Sequence, residues 1–356
     1  MKVGIIGAGA IARRGHLPIY KGIPEVQVVG IADNDVNLAQ KVASEFGIPR
    51  YAASIEELLA DDSIELIDVC TPTPAHLDII RIASARGKHI LVEKPLAGSL
   101  RDALEIKRIL ERCGNQLCVV QNYRYSPSLL SARNRIAGGY LGKIVTMHGL
   151  GLTRFPSSWT RNTWLYHYGG ALYDFGPHLI DLLLWVKDFT PVKRVYASGG
   201  DLTQGNMSFI NYAVVNIEFE DGSVATADIS WVTCAVFRFM IDIYGTGGTI
   251  LIDVRNDVMS EIHGFATPFD DLRFTGAKLA QLAKGVATGR FFQGANLYYR
   301  RLIPDFVNSI SGNGTVPVSI DQALATNIVL EAAARSIQSG VPINVAEMLA
   351  LENTKV

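Results

Sequence analysis

Cysteine is scarce in this chain and has no pattern. Cys70, Cys113, Cys118 and Cys234 form no C-x-x-C pair and stand at no His–Cys ligand spacing. That excludes zinc-ribbon and disulfide-scaffold classes and predicts reduced thiols in a cytoplasmic protein without a metal. An excess of charge is also lacking: 33 Lys and Arg face 34 Asp and Glu, a formal net charge of −1. No basic field exists to gather nucleic acid or acidic lipid. No apolar run approaches the ~20 residues of a membrane helix. The densest, 179–186, is broken by Asp181. The N-terminus enters a strand pattern at once, without the basic and apolar segments of a signal peptide. There is no internal repeat and no low-complexity tract. What remains is 356 residues, 48% apolar and 19% charged, a globular composition too long for one core. Two domains are expected.

Residues 3–6 read as a short buried strand, followed at once by Gly7-Ala8-Gly9-Ala10-Ile11-Ala12. In this G-x-G-x-x-A turn Gly7 permits the tight bend and Gly9 admits a pyrophosphate. Ala12 lets the next helix pack closely, and its N-terminus, with Ala10 and Ile11, faces the phosphates. A second strand, 26–32, ends at Asp33, about 20 residues on, where dinucleotide folds place the ribose-binding acid. With no Arg beside it, NAD is favoured over NADP. Asp33 as the N-cap of a helix over 36–46 is the alternative. A third strand, 64–70, is closed by Thr71-Pro72, which then line the cofactor crevice, and His76 follows in the first turn of a helix. Its plainer reading is a surface or cap histidine. Residues 90–92 open another buried strand, which Glu93-Lys94-Pro95 terminates. A Lys at the carboxyl end of a parallel strand stands where open α/β sheets bind ligands, although a strand-end salt bridge is the alternative. A helix over 100–112 and a strand at 117–121 complete a doubly wound parallel sheet. His76, Glu93, Lys94 and Gln121 join Thr71 and Pro72 as candidate cofactor contacts.

After residue 121 the pattern changes. Strands at 144–150, 213–219, 224–231, 237–244 and 249–254 form a mainly antiparallel meander, with Asp221-Gly222 as a hairpin turn. Ala213, Val215, Ile217 and Phe219 share one face. Residues 265–293 read as an irregular excursion. The segment 154–168 is rich in aromatic residues; Trp159, Trp164, Tyr166 and Tyr168 suit a sugar ring, and Arg154 and Arg161 suit a phosphate or carboxylate, unless the aromatics pack onto the sheet. In Gly169–Asp181, Pro177 starts a buried helix, placing His178 in its first turn and Asp174 just before it. A neutral imidazole oriented by a carboxylate is a general base. A capping Asp and a core His are the alternative.

Taken together, the Gly7–Ala12 turn, Thr71-Pro72, Glu93-Lys94-Pro95 and Gly169–Asp181 resemble the Gfo/Idh/MocA oxidoreductases, over nearly the whole chain and in family order. The resemblance implies an α/β protein with a Rossmann domain, 1–121, and a substrate-binding and oligomerisation α/β domain, 122–356, with a large, open, mainly antiparallel sheet. A C-terminal helix, 320–338, is expected to return toward the first domain, and a homodimer or homotetramer to form through the open sheet. Lys94 would hydrogen-bond the reacting hydroxyl, across a Lys94–Pro95 bond expected to be cis. Asp174 and His178 match the catalytic dyad, with His178 as proton acceptor. Lys94, Asp174 and His178, with Arg124, Arg161, Trp164 and Tyr166, form the expected substrate site. The expected activity is NAD-dependent oxidation of a secondary hydroxyl on a cyclic polyol, sugar or nucleotide sugar, without a metal because Lys94 supplies the positive charge. An NAD-dependent glycosidase using transient oxidation and a non-catalytic NAD-sensing regulator are the rivals.

Overall fold

A computed structural model describes residues 1–154, 170–202, 210–233, 237–263, 267–287 and 296–354. Strands β1 (Lys2–Ile6), β2 (Gln27–Ala32), β3 (Arg50–Ala52), β4 (Leu66–Val69), β5 (His89–Val92) and β6 (Leu117–Val119) form one parallel sheet in the order β3-β2-β1-β4-β5-β6. This is the doubly wound Rossmann order. Every residue of β4 is buried, and β5 is buried from Ile90 on, which explains their unbroken apolar runs. The helices between them obey local rules. Ser99 caps Leu100–Cys113 by accepting from Asp102 N, and Gly114 closes it in a left-handed conformation.

The second sheet has eight strands: β7 (Ile144–Leu152), β8 (Val192–Gly200), β9 (Tyr212–Phe219), β10 (Val224–Ser230), β11 (Arg238–Gly245), β12 (Thr249–Asp253), β13 (Val258–Ile262) and β14 (Ile343–Asn344). Their order is β13-β12-β11-β7-β10-β9-β8-β14, antiparallel throughout except for β7 beside β10. Ala213, Val215, Ile217 and Phe219 are buried together, as the alternation requires. The helix Gly176–Val186 packs close to this face because β7 carries Gly149 and Gly151 there. A Cβ at Gly149 would meet Leu179 at 2.7 Å, and one at Gly151 would meet the Phe175 ring at 2.3 Å.

The chain divides into compact units of residues 1–122 with 295–324, and 123–294 with 325–356. The first unit takes in helix Asn296–Ile310 and the start of helix Ile320–Ser339. One expectation needs correction: the excursion expected over 265–293 contains a 20-residue helix, Pro268–Ala287, with no buried residue. Its apolar side chains Phe269, Leu272, Leu279 and Val286 are exposed, so its apolar stripe serves no core among the described residues. Gly151→Val should destabilise the protein by about 1–3 kcal/mol through overpacking against Phe175. Denaturant unfolding measures this, and a neutral effect would mean the helix has room to withdraw.

Candidate active site

The turn after β1 reconciles two demands. Gly7 has φ +98°, and a Cβ there would lie 2.8 Å from the carbonyl carbon and oxygen of Cys70. Only glycine lets the ends of β1 and β4 approach so closely. At Gly9 a Cβ would meet nothing within 4 Å, so the backbone faces open room. Ala8 N donates to Asp33 Oδ2 at 2.7 Å, and Asp35 N donates to Asp33 Oδ1 at 2.9 Å. The carboxylate that ends β2 is thus tied to the glycine turn. It is not the helix cap: Asp35 caps Val36–Phe46, accepting from Asn37 N and Leu38 N. Ala10 and Pro72 are exposed and Ile11 is half-buried, while Gln121 is buried just past β6. Thr71 Oγ1 is closed to solvent yet has no hydrogen-bond partner among the described residues. A clear approach at Gly9, an unsatisfied hydroxyl at Thr71 and a carboxylate at Asp33 fit a dinucleotide.

At the end of β5 the Lys94–Pro95 bond is cis, as the resemblance implied, and Lys94 is half-buried. Its neighbours depart from expectation. Glu93, expected to touch the cofactor, is buried, and its carboxylate is committed inside the protein. Oε1 accepts from His16 Nε2 at 3.0 Å and Tyr299 Oη at 3.1 Å, while Oε2 accepts from Lys94 N at 3.2 Å. His76 is buried too, not on the surface. Its Nδ1 lies 3.1 and 3.2 Å from the carbonyl oxygens of Pro95 and Leu96, and Nε2 lies 3.2 Å from that of Thr71. Burial pushes its pKa down. It is a buttress joining the two loops that carry Thr71 and Lys94.

In the second unit, Asp174 ends the short helix Gly170–Asp174, and His178 lies in the first turn of Gly176–Val186. Every other residue of that helix is buried, and His178 is half-exposed. Its ring meets Tyr123 edge-on at 4.9 Å. Arg124, expected at the substrate, is 3% exposed and paired in bidentate fashion with Asp181: Nε to Oδ2 at 2.8 Å and Nη2 to Oδ1 at 2.6 Å. Asp181 lies within the apolar helix and needs a buried cation, which accounts for Arg124. Trp159, Arg161, Trp164, Tyr166 and Tyr168 lie outside the described residues.

Sequence reasoning missed His16, Asp68 and Tyr299. The available signal was Asp68, a carboxylate inside the apolar run 66–69 that had to find a partner.

Comparison with known proteins bears on the family and the fold. Residues 1–121 match the model of an oxidoreductase family with an NAD-binding Rossmann fold, and residues 129–251 match the corresponding GFO/IDH/MocA C-terminal domain. The oxidoreductase ORF334 of Rhizobium meliloti is 30% identical over 96% of this chain and 98% of its own length. The NAD-dependent scyllo-inositol 2-dehydrogenase of Bacillus subtilis is 25% identical over 76% of this chain and 79% of its own. In fold, the WlbA dehydrogenase of Bordetella pertussis, solved with NADH and UDP-GlcNAcA, superposes with a TM-score of 0.82 over 97% of both chains, at 21% identity. If the clearance at Gly9 serves a dinucleotide, Gly9→Val should melt like the parent yet bind NADH at least about tenfold more weakly, a loss of about 1.4 kcal/mol. Fluorescence titration measures the affinity, and unchanged binding would remove the turn from the site.

Proposed function

Since this chain belongs to the Gfo/Idh/MocA oxidoreductase family, we propose that it oxidises a secondary hydroxyl on a cyclic polyol, sugar or nucleotide sugar. The observation that carries the reading is the character of two positions. Lys94 is a half-buried ammonium on a cis-proline loop at the carboxyl edge of the parallel sheet, and His178 is the single half-exposed residue of an otherwise buried helix. In this reading His178 takes the hydroxyl proton and Asp174 orients its ring. Lys94 donates a hydrogen bond to the same oxygen and stabilises the charge that develops there. NAD, when bound, supplies the acceptor for the hydride that leaves the carbinol carbon. The alcohol thus loses one proton and one hydride and becomes a ketone. The Gly7–Ala12 turn and Asp33 would hold the pyrophosphate and adenosine ribose, with Thr71, Pro72 and Gln121 along the crevice.

Arg161, Trp164 and Tyr166 complete the substrate side of the proposal. Self-association through the open face of the eight-stranded sheet belongs to the same reading. That face carries half-buried Val214, Met240 and Tyr244, and Asp228 and Asp242 with carboxyl pKa values raised by burial. The free thiols Cys70, Cys113 and Cys118 suit a cytoplasmic setting, and among the described residues no helix is long and apolar enough to cross a membrane.

Lys94→Ala and His178→Ala should each lower turnover by about 10²–10⁴-fold. The assay follows NADH absorbance with scyllo-inositol, D-glucose and UDP-N-acetylglucosamine. Near-parent activity in both variants would refute the assignment. Net NADH accumulation separates a dehydrogenase from a glycosidase that returns its cofactor oxidised.

A further inference from the structure

Behind Lys94 lies a second set of ionisable groups to which the proposed reaction assigns no role. His16 and Asp68 are fully buried, and Glu93 and Tyr299 nearly so. His16 Nδ1 stands 2.8 and 3.0 Å from the two oxygens of Asp68, and its Nε2 stands 3.0 Å from Glu93 Oε1. Glu93 also accepts from the Tyr299 hydroxyl and from Lys94 N. A carboxyl group that accepts from the Tyr299 hydroxyl and the Lys94 amide is an ionised acceptor, so Nε2 beside it carries a proton. Nδ1, between two carboxylate oxygens, carries one as well. The ring is therefore an imidazolium held between two carboxylates. Burial, the largest single influence, opposes that charge, but Asp68 and Cys70 together raise the His16 pKa well above the ordinary histidine range. Burial likewise opposes ionisation of Glu93 most strongly, and His16, Lys94 and Tyr299 together still hold its pKa below the usual value.

Ligand-type atoms of His16, Asp68 and Cys70 lie within 4.8 Å of one another, which invites a metal reading. The hydrogen positions argue otherwise. The nitrogen that would bind a metal is donating to Asp68, and burial pushes the Cys70 thiol up to about 12, so its sulfur stays protonated and faces Asp68 Oδ1 at 3.6 Å. The cluster is a hydrogen-bonded clamp.

Its location gives it a use. His16 closes a π-helical turn, Ala12–His16, in which Leu17 N reaches Ala12 O; such turns are rare and recur at functional positions. That turn follows directly from the dinucleotide loop. Asp68 stands at the carboxyl end of β4, just before Thr71, and Glu93 precedes Lys94. Resting on the role given to Lys94 above, we propose that His16 is a positioning residue, a permanent buried cation that joins the glycine turn, β4 and Glu93 and, through Glu93, holds the Lys94 backbone in its working place. It touches neither substrate nor cofactor.

Three measurements test this on the full chain. In ¹⁵N spectra of the histidine rings, the signals absent from His16→Gln should show both nitrogens protonated throughout the neutral range; a neutral ring there would overturn the proposal. Glu93→Gln keeps the Asp68–His16 pair but breaks the link to Lys94. Amide hydrogen exchange at Lys94 should speed up in this variant while the rest of the sheet keeps its protection. Unchanged exchange would overturn the proposal. With any active substrate of the panel above, kcat of Glu93→Gln should fall about 10–10²-fold through misplacement of Lys94, with KM and NADH affinity nearly unchanged. Parent-like kcat, or a rise in KM alone, would also overturn it. If the parent oxidises nothing in the panel, the dehydrogenase reading fails by itself, while the ring spectra and the exchange rates still decide the clamp.

Discussion

A charge buried in a protein must be matched by its neighbours or it unfolds them. Asp68 places such a charge inside β4, where every residue is buried, and His16 answers it. The imidazolium then faces Glu93, which in turn gathers Tyr299 and the amide of Lys94. Four segments distant in sequence are tied by one chain of ionic hydrogen bonds. The turn after β1, the end of β4 and the end of β5 form the carboxyl edge of the parallel sheet, where a dinucleotide fold binds its ligand. Their mutual placement depends on a protonation state, which links ordinary electrostatics to the geometry of the proposed chemistry.

The second unit repeats the device with other residues. Asp181 interrupts the apolar helix that presents His178, and Arg124 meets it with two hydrogen bonds. Breaking such a pair from one side costs about 3–5 kcal/mol, because the remaining charge stays buried. The helix can also come close to its sheet because Gly149 and Gly151 leave room for Leu179 and Phe175. The position of His178 is thus set by an ion pair between Asp181 of its own helix and Arg124 of a distant segment, and by side chains missing from the strand beneath it.

The glycine turn, the Glu-Lys-Pro loop and the helix of His178 sit on regular elements with buried backing. In the proposed function, substrate choice is assigned to the aromatic segment that contains Arg161, Trp164 and Tyr166.

Periodicity and punctuation made much of this legible from residues alone. Strand, glycine turn and helix at the start, an acid at the end of the second strand, the alternating meander and the lysine before Pro95 are all local patterns, each read from a few neighbours. The long helix Pro268–Ala287 escaped; its apolar stripe faces no core among the described residues. Partner choice escaped for a deeper reason. His16 and Glu93 are 77 positions apart, and Arg124 and Asp181 are 57 apart. A charged residue read by itself suits a ligand as well as it suits a counter-ion. The chain order therefore determined the fold class and the chemical character of the candidate groups. Only tertiary packing decided which of them face one another, because burial sets the cost of a charge and the assembled neighbours decide whether it is met.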